Sequence, residues 1–245
     1  MTLALPAHAK LNLELRVLGA RPDGQHEVDT LIQAISLHDL LLASAAPATT
    51  LELDGEAPAG EANLVLKAAR ALEELAGRPL PARLRLLKRI PPGAGLGGGS
   101  SDAAAALRAL ARLYGLELDL APVAAALGAD VSFFLRGGAA RAGGRGEELH
   151  PARPQPGWYA LAWPGYQVST ADVYRAWDET GGEPPNELLR AAITVEPRLA
   201  AFTEALGPGW RMTGSGSAFF KPAATEAEAR SAVAGLECWT EVAWA

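Results

Sequence analysis

The stretch Pro91–Leu107, PPGAGLGGGSSDAAAAL, decides the fold. Five of the seven residues from Gly93 to Gly99 are glycine, and a helix is predicted directly after them, over residues 100–114. Backbone N–H groups without side chains can close around an anion, and a helix start adds unpaired donors and a positive dipole end. Each glycine costs about 0.5–1 kcal/mol relative to alanine in a regular element. The pattern therefore favours a phosphate-binding loop over a plain turn, with Ser100 and Ser101 as helix caps or phosphate ligands.

Two common nucleotide-binding loops fit this stretch poorly. No Gly-Lys-Ser/Thr follows the glycines, so it is not a P-loop. Gly93-x-Gly95-x-x-Gly98 formally matches the dinucleotide fingerprint, which requires a strand that runs straight into the turn. Pro91 and Pro92 interrupt that strand. A dinucleotide oxidoreductase and a non-catalytic nucleotide-binding module remain as alternatives to an enzyme that uses a nucleoside triphosphate.

Periodicity outside the loop predicts an α+β protein with two domains. Apolar residues alternate with polar ones over residues 3–17, which indicates a strand whose polar face carries both Lys10 and Asn12. Three prolines in residues 151–157 indicate a linker between domains 1–150 and 158–245. Other strands are predicted over residues 28–43, 82–88, 158–163, 209–213, 217–221 and 238–244. Other helices are predicted over residues 62–77, 120–127, 170–178, 186–193, 196–206 and 224–235.

The composition is that of a globular protein, with 49% hydrophobic and 20% charged residues among 245. The single cysteine, Cys238, excludes an internal disulfide and fits a reducing compartment. A net charge of −6 argues against a basic nucleic-acid surface. The first residues lack a signal-peptide pattern, and no apolar run reaches the ~18 residues of a membrane span. We expect a cytoplasmic monomer or homodimer without membrane or nucleic-acid partners, and no metal-ligating cluster of side chains.

The glycine-rich stretch resembles the second motif of the GHMP kinase superfamily, whose members phosphorylate small molecules with ATP. Three other stretches, in the right order, are also similar to GHMP kinases: PAHAKLNLELRVLGARPDGQHEVDT at residues 6–30, GADVSFFLRGGAARAGGRGEEL at residues 128–149, and MTGSGSAFF at Met212–Phe220. The resemblance implies a two-domain GHMP kinase fold. Its N-terminal domain is like ribosomal protein S5 domain 2, and its C-terminal domain is ferredoxin-like.

The order Lys-x-Asn, then Arg-x-Asp-Gly-x-His, resembles one branch of the superfamily. Those members phosphorylate the 2-hydroxyl of a methylerythritol linked to cytidine diphosphate, in non-mevalonate isoprenoid synthesis. Gln25 stands where their turn usually carries a tyrosine that stacks on cytosine, while Tyr174 matches their other aromatic partner. Another GHMP kinase acting on a mevalonate-, homoserine- or sugar-type alcohol is therefore the alternative substrate class.

The resemblance also implies roles for individual residues. Asp130 would accept the hydroxyl proton, and Lys10 would keep Asp130 ionised and stabilise charge on the transferring phosphoryl group. Mg²⁺ would accompany ATP, held mainly by the phosphates. The implied ATP-binding residues are Asn63, Lys88, Pro91, Pro92, Gly93, Ala94, Gly95, Leu96, Gly97, Gly98, Gly99, Ser100 and Ser101. The implied substrate-binding residues are Asn12, Gln25, His26, Thr170, Tyr174, Gly214 and Ser215; locally, Asn63 and Thr170 are also expected to cap helices.

Overall fold

The structure is a computed structural model that describes residues 1–245. It contains ten strands, eight α-helices and a short 3-10 helix at Gly60–Ala62. The strands are β1 Thr2–Ala20, β2 His26–Ala45, β3 Thr50–Asp54, β4 Ala82–Leu87, β5 Ala139–Gly143, β6 Glu148–Pro151, β7 Trp158–Trp163, β8 Arg211–Met212, β9 Phe219–Ala223 and β10 Trp239–Trp244. The helices are α1 Leu64–Ala76, α2 Gly98–Leu113, α3 Ala121–Leu127, α4 Ala129–Arg136, α5 Thr170–Thr180, α6 Leu189–Val195, α7 Arg198–Leu206 and α8 Glu226–Val233.

The strands form two sheets, which confirms the predicted α+β class. The first sheet has six strands in the order β3-β4-β2-β5-β6, with β1 paired to β2. Strands β3 and β4 run parallel, while β2 pairs antiparallel with both β4 and β5. The second sheet has the order β10-β7-β9-β8 and is antiparallel throughout.

The chain divides into two compact units. The first unit comprises Met1–Ala9, His38–Pro92 and Gly97–Gly137, and the second comprises Lys10–Leu37, Gly93–Leu96 and Gly138–Ala245. The residues of the predicted linker all belong to the second unit, where Gln155 and Gln33 are joined by two hydrogen bonds of 2.6 and 2.8 Å. The domain limits 1–150 and 158–245 stay a prediction.

Helix packing supplies the core of the first unit. Helix α1 buries its apolar stripe, which has the spacing of one helix face, and it ends at Gly77 in the left-handed region at φ +63°. Helix α2 packs against α1 and α4, and alanine at six of its ten buried positions allows this close approach. The stripe of α1 consists of Val65, Ala68, Ala69 and Leu72.

The second unit has its own apolar core between the helices α5, α6 and α7 and strands β7, β8 and β9. Leu15 and Val17 of β1 contribute to it, as do Met212 and Phe219 from the second sheet. Helix α8 packs on β7, β9 and β10. None of the eight helices combines the length and the hydropathy that crossing a bilayer requires.

Candidate active site

Lys10 and Asn12 lie in β1 and are each only 5% exposed. The Lys10 ammonium donates a hydrogen bond to Asn12 Oδ1. Asn12 Nδ2 donates to Thr30 Oγ1 at 2.8 Å, and that hydroxyl donates to the backbone carbonyl of Glu14 at 2.6 Å. Because the Thr30 hydroxyl donates its only proton to the Glu14 carbonyl, it can only accept a hydrogen bond from Asn12. The Asn12 amide is thereby oriented with its oxygen towards Lys10.

The second glycine turn, residues 213–216, lies directly against this pair. Asn12 N donates to Thr213 Oγ1 at 3.0 Å. Gly214 has φ +58°, and a β-carbon there would lie 3.4 Å from both Lys10 Nζ and Asn12 Oδ1. Glycine therefore permits the positive φ of the turn, and a side chain here would lie in ordinary van der Waals contact with the ammonium group.

The first half of the glycine-rich loop, residues 93–96, packs between the Lys10 strand and the second glycine turn. Lys10 N donates to Leu96 O at 2.9 Å, and Ala218 N donates to Ala94 O at 3.0 Å. A β-carbon at Gly95 would lie 2.4 Å from Thr213 O, closer than any side chain tolerates. The structure thus brings together three motifs that are about 80 to 200 residues apart in sequence.

The second half of the loop forms the start of α2. This helix begins at Gly98, two residues earlier than predicted, and its N-cap is Gly97 without a side-chain hydrogen bond. The expected capping by Ser100 or Ser101 is therefore wrong, because both serines already lie inside the helix. Ser101 Oγ is buried and has no hydrogen-bond partner.

Lys88 follows β4, just before the loop, and its side chain is engaged by two carboxylates. It donates to Asp39 in β2 and, at 2.7 Å, to Asp102 in α2. Burial raises the pKa of Asp102 to about 7, with the neighbouring Asp39 carboxylate adding to the increase and Lys88 opposing it. The ammonium group of this predicted ATP-binding residue is thus held within the protein.

Asn63 caps α1, as expected. Its side chain accepts from Val65 N at 2.9 Å and donates to Pro58 O at 2.8 Å. Because both ends of the amide are used, the helix start and the preceding turn are fixed together.

Asp130 lies in the first turn of α4, whose N-cap is Gly128. A carboxylate in the first turn of a helix is stabilised by the helix dipole. The residue is partly exposed and belongs to the first unit, whereas Lys10 belongs to the second. Their predicted pairing stays a prediction.

His26 forms a compact aromatic cluster with one face of α5. Its ring stacks on Tyr174 with 5.0 Å between ring centroids and lies nearly perpendicular to the Trp177 ring, with 5.9 Å between centroids. His26 Nε2 lies 2.7 Å from Asp178 Oδ1. The neighbouring Gln25 is exposed, and its side-chain carbonyl lies 3.5 Å from an amino group of Arg145.

Thr170 connects α5 to the second glycine turn. Its hydroxyl lies 2.8 Å from Ser215 Oγ. The N-cap of α5 is Ser169, which accepts from Asp172 N, so the expected capping by Thr170 is wrong by one residue. With the cap supplied by Ser169, the Thr170 hydroxyl is available for Ser215.

Known proteins resemble this chain over nearly its whole length. The GHMP kinases N terminal domain family matches residues 63–138. The 4-diphosphocytidyl-2-C-methyl-D-erythritol kinase of Pseudomonas syringae is 41% identical, over 93% of this chain and 87% of that protein. The kinase of the same name from Thermus thermophilus is 40% identical, over 98% and 94%. The chain belongs to the 4-diphosphocytidyl-2-C-methyl-D-erythritol kinase family of GHMP kinases. It is a kinase, and a GHMP kinase uses ATP.

Solved structures give the same result for the fold of this kinase. A crystal structure of a 4-(cytidine 5'-diphospho)-2C-methyl-D-erythritol kinase superimposes with a TM-score of 0.84 at 40% identity, covering 99% of this chain and 100% of that one. The mevalonate kinase of Methanococcus jannaschii superimposes with a TM-score of 0.68 at 14% identity, covering 100% and 98%. The predicted two-domain GHMP kinase fold is therefore confirmed.

Several residues around the site were not predicted from the sequence. Thr30, Thr213 and Asp102 are polar residues whose contacts lie far along the chain. Trp177 and Asp178 had a usable signal, because they follow Tyr174 at the i+3 and i+4 positions of the same helix face.

Proposed function

We propose that this kinase transfers the γ-phosphoryl group of ATP to the 2-hydroxyl of 4-diphosphocytidyl-2-C-methyl-D-erythritol, in non-mevalonate isoprenoid synthesis. The observation that carries the proposal is the identity of 40–41%, over nearly the whole chain, to kinases of that name. The convergence of residues 10–12, 93–96 and 213–216 supports it, since all three segments resemble GHMP kinase motifs.

Asp130 is proposed as the general base and Lys10 as the electrostatic group. The carboxylate of Asp130 takes the proton of the substrate hydroxyl while the hydroxyl oxygen forms its bond to the γ-phosphorus and the bond to ADP breaks. The Lys10 ammonium, oriented by Asn12, stabilises negative charge on the attacking oxygen and the transferring phosphoryl group. Asn12 is proposed to orient the same hydroxyl.

The glycine-rich loop from Pro91 to Ser101 is proposed to bind the phosphates of ATP through its backbone N–H groups and the start of α2. Asn63 and Lys88 are proposed to lie on the adenine side. For both residues, the side-chain contacts favour a role through the backbone or through the shape of the site, because Asn63 caps α1 and Lys88 binds two carboxylates.

Mg²⁺ is proposed to accompany ATP. This ion keeps several waters and phosphate oxygens and needs few protein ligands. Ser101 Oγ fits such a role, since it is a hydroxyl at the start of α2 without a hydrogen-bond partner. When bound, Mg²⁺ neutralises charge on the β- and γ-phosphates.

The cytidine end of the substrate is proposed to bind beside His26 and Tyr174. Aromatic rings on which a base can stack are worth about 1–3 kcal/mol each, and their cluster is fixed by Asp178 and Trp177. The amide of Gln25 is proposed to replace the usual tyrosine of the family. Thr170, Gly214 and Ser215 are proposed to bind the methylerythritol and diphosphate part, since the Thr170–Ser215 pair adjoins Gly214.

The proposed setting of the reaction follows from composition. With a net charge of −6 and one cysteine, we propose a cytoplasmic monomer or homodimer that acts on a free small molecule and binds neither nucleic acid nor membranes.

A coupled assay of ADP release tests the function. Wild-type protein should turn over the cytidine substrate and leave mevalonate, homoserine and galactose untouched. Lys10→Ala and Asp130→Asn should each lower kcat by about 10²–10⁴-fold while a non-hydrolysable ATP analogue still binds. Preference for another of the four alcohols would overturn the substrate, and wild-type rates in both variants would overturn the assigned roles.

A second assay tests the cytidine site. Tyr174→Ala should raise the KM for the cytidine substrate about tenfold through lost stacking, whereas Tyr174→Phe keeps the ring and should stay near wild type. The KM for ATP should not change in either variant. Equal values of the cytidine KM in wild type and Tyr174→Ala would remove Tyr174 from the site.

A further inference from the structure

A buried charge cluster of Asp39, Lys88 and Asp102 lies between the residues that precede the glycine-rich loop and the helix that follows it. Lys88 Nζ donates to Oδ2 of both aspartates, and the three side chains are each no more than 6% exposed. The three residues come from different elements: Asp39 from β2, Lys88 from the residues after β4, and Asp102 from α2.

Asp39 fixes the backbone that leads into the loop. Its second carboxylate oxygen accepts hydrogen bonds from Arg89 N at 2.5 Å and Ile90 N at 2.9 Å, and these residues directly precede Pro91. A carboxylate that accepts from two backbone N–H groups and from an ammonium leaves this segment little freedom.

Asp102 and Gly98 fix the other side of the loop. Asp102 lies one turn into α2 and accepts from Lys88. A β-carbon at Gly98, the first residue of α2, would lie 2.9 Å from Ile90 Cγ2 and 3.2 Å from Lys88 Nζ. The helix start therefore packs directly on the residues that enter the loop.

We infer that Asp39, Lys88 and Asp102 are positioning residues for ATP, which hold the two sides of the glycine-rich loop at the separation that its phosphate-binding conformation requires. This inference rests on the proposed role of the loop. A buried group of three charges is a poor way to gain stability, because desolvation offsets the attraction between the charges. A loop rich in glycine is costly to order, and any ordering completed before ATP arrives raises the affinity.

The double variant Lys88→Met/Asp102→Asn tests the inference. It removes the bridge and leaves Asp39 with its two backbone donors, so no new pair of like charges is created. We expect the KM for ATP to rise about tenfold, with kcat and the KM for the cytidine substrate within about threefold of wild type. Amide hydrogen exchange of residues 89–98 without nucleotide should be faster than in wild type, a change that loss of a direct contact to ATP would not produce.

Asp102→Asn alone separates positioning from a nucleotide contact of Lys88. This variant keeps the Lys88–Asp39 pair and weakens only the bond across the loop, so the KM for ATP should rise about threefold. If the double variant does not fold, Asp102→Asn tests the inference by itself. An unchanged KM for ATP in Asp102→Asn, or in a folded double variant, would overturn the inference.

Leu72→Ala is the matched control for general destabilisation. Leu72 is fully buried in α1, which packs on α2 without belonging to the charge cluster. When Leu72→Ala and the double variant lose the same unfolding free energy, Leu72→Ala should leave the KM for ATP unchanged. A similar rise of the KM for ATP in Leu72→Ala would show that the charge cluster only stabilises the fold. If wild type does not phosphorylate the cytidine substrate while the double variant still binds the ATP analogue more weakly, the proposed substrate fails and the inference stands.

Discussion

The orientation of a single amide, that of Asn12, determines how Lys10 is presented. Thr30 accepts from Asn12 and donates to Glu14 O, so Thr30→Val removes the group that fixes the amide. We expect kcat to fall about tenfold, the effect of about 1–1.5 kcal/mol for one buried hydrogen bond, with the KM for ATP unchanged. Steady-state kinetics measure both constants.

Thr203→Val is the control for Thr30→Val, because the Thr203 hydroxyl also donates to a backbone carbonyl but lies in α7. Its unfolding free energy should fall by about 1 kcal/mol while kcat stays at the wild-type value. The role assigned to Thr30 is wrong if the two variants lose the same fraction of kcat.

The raised pKa of Asp102 predicts how the unfolding free energy depends on pH. Burial, its largest cause, raises this pKa from 3.8 to about 7 in the folded protein. The unfolded chain therefore loses the proton first, and Asp102 makes folding progressively less favourable as pH rises between these values, by up to about 4 kcal/mol. The penalty is constant above about pH 7.

Asp102→Asn lacks this titration. The unfolding free energy of the variant, relative to wild type, should therefore increase from about pH 4 to pH 7 and then stay level. Urea denaturation at several pH values measures the difference. Curves that run parallel at all pH values would show that Asp102 ionises in the folded protein as it does in the unfolded chain.

Residues that act through distant partners had no signal in the sequence. Lys10 and Asn12 were predicted because they share a motif, but Thr30 and Thr213 reach Asn12 from 18 and 201 residues away. Asp102 is the exception, since a carboxylate within an alanine-rich apolar helix is unusual enough to be noticed.

At the scale of elements, the contact between the two glycine turns depends on Gly95. This residue has φ +78°, and a β-carbon would overlap Thr213 O. Gly95→Ala should lower kcat/KM for ATP by more than about 100-fold, because the turn at residues 213–216 must move away from residue 95. Steady-state kinetics with ATP as the varied substrate measure the loss.

Gly235→Ala is the matched control for Gly95→Ala. Gly235 has φ +80°, and nothing lies within 4 Å of its β-carbon position. It therefore carries the same conformational strain, about 1–2 kcal/mol of unfolding free energy, without the collision. If both variants retain the same kcat/KM, the close approach of the two turns has no role in activity.

Elements with strong periodicity were predicted well, whereas the short elements β3, β5, β6 and α4 were missed. The alternation in β1 and the helical spacing in α1 correspond to observed elements. Strand β5, AARAG, has residues of low strand propensity, and it is a strand because β2 and β6 pair with it. Helix α4 directly follows α3 and has only eight residues. That length is too short for a helical period in α4 to be recognised from the sequence.

At the scale of the whole molecule, the order of the motifs in the sequence predicted the family. Which of these motifs lie together in space could be seen only from the tertiary structure. No local pattern indicates that residues 93–96 group with Lys10–Leu37 and residues 138–245, whereas residues 97–137 group with His38–Pro92. Strands β1 and β2 each contribute residues to both units. Such assignments depend on contacts distant in sequence, which periodicity does not encode.

Ligand-induced stabilisation of the whole chain separates binding from turnover. A non-hydrolysable ATP analogue at about 100 times its Kd should add about 2.7 kcal/mol to the unfolding free energy and raise Tm by about 5–10 °C. Lys10→Ala should retain this shift to within about 2 °C, because Lys10 is assigned to the transferring phosphoryl group rather than to the loop that holds ATP. Gly95→Ala should lose most of it. Differential scanning calorimetry measures the shifts, and a Lys10→Ala protein that the analogue no longer stabilises would move Lys10 from the chemical step to nucleotide binding.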